Sequence, residues 1–211
     1  MAFVGATGAG KTTILSLIVR NYEIQKGQIL IDDVDITHIK VESIRRAVGQ
    51  MLQDVFLFSG TIRTNITLHD GDISDEKVNH ACDYVNASGF INNLPNKLDE
   101  EVIERGENFS AGQRQLLSFA RCVVHDPQIL ILDEATANID TETEVVIQDS
   151  LEKIKNIGTM LVVAHRLSTI QHADNIIVLQ NGEIIEQGNH QQLLKKRGHY
   201  YKLYQLQFEN K

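Results

Sequence analysis

Gly5-Ala6-Thr7-Gly8-Ala9-Gly10-Lys11-Thr12 has the residue types and spacing of a phosphate cradle, G-x-x-x-x-G-K-T. Glycines let successive backbone N–H groups turn inward on phosphate oxygens, and a helix starting at the loop adds partial positive charge there. Lys11 can then reach the β- and γ-phosphates, and the Thr12 hydroxyl can ligate Mg²⁺. The plain alternative is a glycine-rich turn with an incidental lysine. The flanks argue against it: Met1–Val4 is a short apolar run of strand type, and Thr13–Ile18 has apolar residues at helical spacing.

Further candidates lie downstream. Ile129–Leu132 reads as a buried strand and delivers Asp133 and Glu134 at its end. Asp133 can hold Mg²⁺ through water opposite Thr12, and Glu134 can take the proton of an attacking water. Alone, a strand with an acidic turn is common; the loop upstream tips the balance. His165 follows another buried strand, Met160–Val163, and could reach a γ-phosphate from the neighbouring strand end. Gln53 ends the strand-like run Val48–Leu52, where an amide could touch metal and water together. Ser110 is a natural N-cap, and Ala111-Gly112-Gln113 opens the following helix with an approachable backbone, which makes a second anion site. One chain with two such sites suggests that the second serves a partner's nucleotide across a two-fold interface.

The elements that must position these residues alternate. Strands are expected at Gly27–Ile31, Val48–Leu52, Gln128–Leu132 and Met160–Val163, with a hairpin of Asn175–Leu179 and Glu183–Glu186 turning at Asn181-Gly182. Helices are expected after the loop, from a Ser43 cap through Ala47, and over Asp75–Val85, Gln115–Val124, Thr141–Lys155, His190–Lys196 and Tyr200–Phe208. This is an α/β fold with a mostly parallel sheet, whose core takes about residues 1–52 and 125–211, with an inserted helical subdomain over about 53–124. Ligands of such a sheet gather at the strand ends, where the loop lies.

The 211 residues fit one domain, and 42% hydrophobic with 23% charged content is ordinary for a globular chain. A net charge of -8 argues against a broad nucleic-acid-binding face. Cys82 and Cys122 have apolar or helical neighbours and read as small core residues. No apolar run approaches a membrane span.

Taken together, Gly5–Thr12, Gln53, Phe109–Gln113, Ile129–Glu134, Ala137–Asp140 and His165 resemble, in order and spacing, the Walker A, Q-loop, signature, Walker B, D-loop and H-loop of ABC transporter ATPase domains. Phe56–Arg63, Glu104–Asn108 and Ala164–Ile170 resemble the exporter branch, the multidrug and lipid-flippase-like proteins. The resemblance implies the P-loop NTPase (RecA-like) fold of that family, with ATP and Mg²⁺ as ligands. Gly5 through Thr13 would bind nucleotide, Thr12, Gln53 and Asp133 would serve the metal, and Glu134, His165 and Gln53 would be catalytic. Ser110, Ala111, Gly112 and Gln113 would cap the ATP of a second ABC ATPase domain, in a homo- or heterodimer. Gln53 and the X-loop-like Glu100–Gly106 would contact an exporter's transmembrane domain, placing the chain at the cytoplasmic face of the plasma membrane.

The sequence departs from the family pattern in places. Phe-Ser-Ala-Gly-Gln replaces the usual Leu-Ser-Gly-Gly-Gln, so Ala111 adds a methyl, and Ile103 stands where many X-loops have glycine. The phosphate loop begins almost at Met1, so the flanking N-terminal strands, the membrane domain and the adenine-stacking aromatic are expected outside this chain. Such stacking is worth about 1–3 kcal/mol, and this chain by itself is expected to bind ATP weakly and with little base selectivity. Rival readings fare worse. Asn96-Lys97-Leu98-Asp99 mimics a guanine-reading motif, but no buried strand precedes it and no D-x-x-G occurs. A DNA-repair or chromosome-maintenance ABC ATPase would separate Gln53 from Ser110 by long coiled coils, and a translation-associated one would carry two such domains. A regulatory subunit with little turnover would sit poorly with Glu134 and His165 both present.

Overall fold

The computed structural model describes residues 1–51, 54–133, 141–163 and 170–209. In chain order the first elements are β1 (Ala2–Val4), α1 (Lys11–Ile18), β2 (Leu30–Ile31), β3 (Val34–Asp35), α2 (Val41–Ala47) and β4 (Val48–Met51). Then come β5 (Gly60–Thr61), α3 (Ile62–Thr67), α4 (Asp75–Tyr84), α5 (Ser88–Ile91), β6 (Glu101–Val102) and α6 (Ala111–Val123). The remainder is β7 (Ile129–Asp133), α7 (Thr141–Ile154), β8 (Thr159–Val163), β9 (Ile176–Gln180), β10 (Glu183–Gly188), α8 (His190–Lys196) and α9 (His199–Glu209). They fall into two compact units: Met1–Val48 with Ile129–Ala135 and Thr159–Lys211, and Gly49–Gln128 with Thr136–Gly158.

The first unit is built on a sheet in which β10, β9, β1, β8 and β7 lie side by side in that order. Strand β1 lies parallel between β8 and β9, pairing Phe3 with Val163 on one side and Ile177 on the other. A strand bonded on both edges and covered on both faces should be apolar throughout, and Ala2, Phe3 and Val4 are all buried. β7 and β8 are parallel, with Asp133 level with Val163. β10 runs antiparallel to β9, as the Asn181-Gly182 hairpin requires. Phe3, Leu15, Val19, Ile36, Leu161 and Leu179 form part of the core under the phosphate loop.

The second unit is mainly helical. Helix α6, buried along Leu116, Leu117, Phe119 and Ala120, packs against α3, α4 and α7. Tyr84 donates to the Lys153 carbonyl at 2.7 Å, and the fully buried Ser150 donates to the Val85 carbonyl at 2.7 Å, so polar bonds also hold α7 to the end of α4.

Some elements differ from the expected ones. Only Leu30–Ile31 of the Gly27–Ile31 run is paired, because Asp32 and Asp33 both take positive φ (48° and 64°) and fold the chain straight back on Val34–Asp35. Ser43 lies inside α2, which starts at Val41 with no side-chain cap on the preceding Lys40. Helix α6 takes in the Gln115–Val123 stretch and starts at Ala111, directly after the expected Ser110 cap. The helical unit also contains the β5/β6 ladder, whose two-residue strands are too short to leave an alternating pattern. Among the described residues, no helix is long and apolar enough to cross a membrane.

Candidate functional site

Strand β1 ends at Val4, and the chain then turns through Gly5–Gly10 into α1. Gly5 passes so close to the Leu179 carbonyl oxygen that a Cβ there would collide with it. Gly8 and Gly10 have φ of 81° and 99°, in the left-handed region where a side chain is strained. Ala9 anchors the loop from below, with its side chain in the core, its N–H donating to the Ala6 carbonyl at 3.1 Å, and its carbonyl accepting from Gly182 N–H at 3.1 Å. The turn between β9 and β10 therefore braces the loop, a role not visible when Asn181-Gly182 is read only as a hairpin. Above this floor, Ala6, Thr7 and Gly8 form an exposed rim, and Thr12 and Thr13 are exposed at the helix start.

The start of α1 has the electrostatics of an anion site. Its N-cap, Gly10, offers no side-chain acceptor, and its first turn contains no acidic residue, so the orphan N–H groups have no side-chain partner there. Lys11 is only 6% exposed, and its Nζ donates to the carbonyls of Gly5 at 2.8 Å and Ala6 at 3.1 Å. The ammonium is folded over the loop and keeps the glycine turn in shape. Burial pushes its pKa below the ordinary lysine value, while the charge of Asp133, at the end of β7, pulls it up. Lys11 and Asp133 are thus near enough for their charges to interact. Thr12, Asp133, phosphate oxygens and water are a suitable hard-oxygen donor set for Mg²⁺. Among the described residues no group of three or more His, Cys, Asp or Glu could hold a metal unaided.

Ser110 is the N-cap of α6. Its Oγ accepts from Gln113 N–H at 3.2 Å, and Gln113 Oε1 accepts from Ser110 N–H at 3.0 Å, a closed capping box. Ser110 is exposed, Ala111 and Gln113 are half-buried, and Gly112 is buried. The approach to this helix is held by Arg114, which donates to the Phe109 carbonyl at 2.5 Å. Gln53, Glu134, His165 and the Ala137–Asp140 stretch lie outside the described residues. The guanine-motif mimic is occupied structurally: Asp99 accepts from Arg63 Nε at 2.9 Å, and Lys97–Asp99 is a 3₁₀ turn.

Comparison with known proteins agrees with this geometry. The family model described as ABC transporter matches residues 1–137. A Bacillus subtilis protein named probable multidrug resistance ABC transporter ATP-binding/permease protein is 50% identical over 98% of this chain and 31% of its own length. An ATP-dependent lipid A-core flippase from Syntrophus aciditrophicus is 47% identical over 99% of this chain and 35% of its own. The chain thus spans about a third of the length of the curated relatives it matches. A solved bacterial Atm1-family ABC exporter with ATP bound superposes with a TM-score of 0.89 at 41% identity, over 98% of this chain and 36% of that one. The fold is therefore that of an ABC exporter's nucleotide-binding domain, a P-loop NTPase.

Proposed function

Because this chain belongs to the ABC transporter family, we propose that it is the ATP-binding and ATP-hydrolysing domain of an exporter, working at the cytoplasmic face of the plasma membrane. The observation that carries the reading is the loop over Gly5–Thr12: a glycine turn braced from below, an uncapped helix start, and a buried lysine beside it. A polyphosphate suits that combination of open N–H donors and one fixed cation.

In the proposed reaction Lys11 and the N–H groups of the loop bind the β- and γ-phosphates of ATP and disperse their charge. To take the γ-phosphate, Lys11 exchanges one or both of its loop carbonyl partners for phosphate oxygens. Thr12, Asp133 and Gln53 would hold Mg²⁺, which would supply neutralisation of the phosphate charge. Glu134 takes a proton from water as its oxygen attacks the γ-phosphorus, and the bond from that phosphorus to the bridging oxygen breaks with its electron pair leaving on ADP. His165 would hold the γ-phosphate. Ser110 and the first turn of α6 close over the nucleotide of a second such domain, their N–H groups being suited to an anion.

A membrane domain completes the transporter in this reading, since the ATP-binding/permease relative is about three times as long as the matched region. The test is Mg²⁺-dependent ATP hydrolysis by the full-length protein in lipid nanodiscs, compared with Lys11→Met. The expected loss is at least about 100-fold in kcat/KM, the scale on which removing a fixed charge from a developing phosphate acts. Hydrolysis that survives Lys11→Met at the wild-type rate would overturn the assignment.

A further inference from the structure

Gly182 stands at the exposed tip of the β9–β10 hairpin, a place where a backbone N–H ordinarily meets water. The ladder closes with Glu183 opposite Gln180, so Asn181 and Gly182 lie beyond the paired residues. Gly182 N–H donates instead to the Ala9 carbonyl of the phosphate loop at 3.1 Å. Two close approaches set the turn against the loop. The Leu179 carbonyl oxygen would lie 2.3 Å from a Cβ on Gly5, and the Gly182 Cα 3.7 Å from one on Gly10. Parallel pairing of β9 with β1, Val178 opposite Val4, brings turn and loop to the same end of the sheet.

The bond matters for what lies across the same peptide. Among the described residues no peptide is cis, and in a trans peptide the C=O and the following N–H point in opposite directions. With the Ala9 carbonyl tied to Gly182, Gly10 N–H is aimed at the side of the loop that the turn does not cover. Gly10 is the N-cap of α1, whose first turn has no acidic residue, so this N–H joins the positive end of the helix. A flip of the Ala9–Gly10 plane would put an acceptor where an anion needs a donor.

The lysine's bonds to the loop are of a different kind. Lys11 Nζ holds the carbonyls of Gly5 at 2.8 Å and Ala6 at 3.1 Å, and it gives up one or both when it takes a phosphate. The Gly182 bond joins two backbone groups and asks nothing of Lys11. It keeps the loop in shape at the moment the lysine lets go.

Glycine is needed at 182 for its φ and not for its size. Gly182 has φ of 82° and Asn181 of 51°, both left-handed as the two-residue turn requires, whereas a Cβ on Gly182 would meet nothing within 4 Å. A residue that tolerates this φ should replace it, and a β-branched one should not.

We propose that Gly182 is a positioning residue for phosphate binding: its N–H fixes the Ala9–Gly10 peptide so that Gly10 N–H is presented to the nucleotide before and after Lys11 changes partners. This rests on the ATP-binding reading above, and brings into that site a residue from outside the phosphate loop.

The experiment uses the full-length protein in lipid nanodiscs and compares wild type, Gly182→Asn, Gly182→Val and Ile176→Val. Asparagine accepts positive φ, whereas valine does not and so reshapes the turn. Gly182→Ala, strained with the smallest side chain, serves where Gly182→Val does not accumulate. Ile176→Val trims a fully buried side chain at the far end of β9 and reports what mere loss of stability does. The readouts are hydrogen exchange of the Gly5–Thr12 segment and affinity for trinitrophenyl-ATP and trinitrophenyl-AMP, the second of which lacks the β- and γ-phosphates. For Gly182→Val, exchange in the segment should rise at least about fivefold and trinitrophenyl-ATP affinity fall at least about tenfold, with trinitrophenyl-AMP affinity within about twofold of wild type. Gly182→Asn and Ile176→Val should stay within about twofold of wild type on all three. An equal fall for both analogues, or the same selective fall in Ile176→Val, overturns the positioning role. So does Gly182→Asn as weak as Gly182→Val, or full trinitrophenyl-ATP affinity in Gly182→Val. Wild-type protein that binds neither analogue would instead overturn the ATP-binding reading. Exchange then decides on the Gly182 bond by itself: a rise at Gly5–Thr12 in Gly182→Val upholds it, and no change overturns it.

Discussion

Lys11 and Gly5 set the character of the nucleotide site through opposite means, one by what its side chain reaches and the other by having none. The loop's type was legible because G-x-x-x-x-G-K-T is dense in residues with few other uses. The Leu179 carbonyl against Gly5 was not legible, since a close approach between distant backbone segments leaves no mark on residue type. It does yield a prediction. Gly5→Ala must push either the loop or the backbone of β9, neither of which is a flexible side-chain end. The expected cost is about 1–3 kcal/mol of stability, with ATP affinity lowered at least about tenfold. Thermal unfolding and ATP titration of the variant check both; wild-type values would contradict the close approach. The cysteines are the plainer case. Cys82 and Cys122 are buried, and burial pushes both thiols to about 12, as expected of small core residues.

Helix α6 is the element on which most of the second unit turns. Its start was legible from Ser110, an N-cap type directly before Ala111, and the capping box with Gln113 closes as such a start allows. Arg121, later in the same helix, was invisible: an arginine at helical spacing reads as solvent-facing, and its bonds to the Asn65 and Phe56 carbonyls, which half-bury it, leave no mark on the sequence. Just past the helix, His125 has a buried Nε2 with no hydrogen-bond partner, and burial lowers its pKa against the pull of Asp70 and Asp126. The fold therefore favours the neutral ring. Stability from this group is fully present above the unfolded value near 6.5 and is lost as pH falls from there through the lowered folded value. His190, lowered by burial and then by His172, adds to the same window. Melting midpoints at pH 7.5 and 5.5 should fall for the wild type and fall less for His125→Gln. Equal falls would contradict the assignment.

As a whole molecule, the chain is one part of a larger assembly in the proposed account. The apolar strands β1, β7, β8 and β9 were readable as continuous hydrophobic runs, which is why the parallel sheet could be anticipated. The β2/β3 and β5/β6 ribbons were not, since two-residue ladders are decided by turn geometry and tertiary position. The proposed dimer places Ser110 of one domain over the loop of another, and the proposed membrane domain completes the exporter. Hydrolysis by Glu134 is the claim on which these parts converge. The most direct measurement is steady-state phosphate release by full-length Glu134→Gln, taken together with the ATP it retains and its state of association. A general base contributes about 10²–10⁴ in rate, so release should fall at least about 100-fold while ATP stays bound in a trapped dimer of nucleotide-binding domains. Unchanged steady-state hydrolysis in that variant would contradict the account.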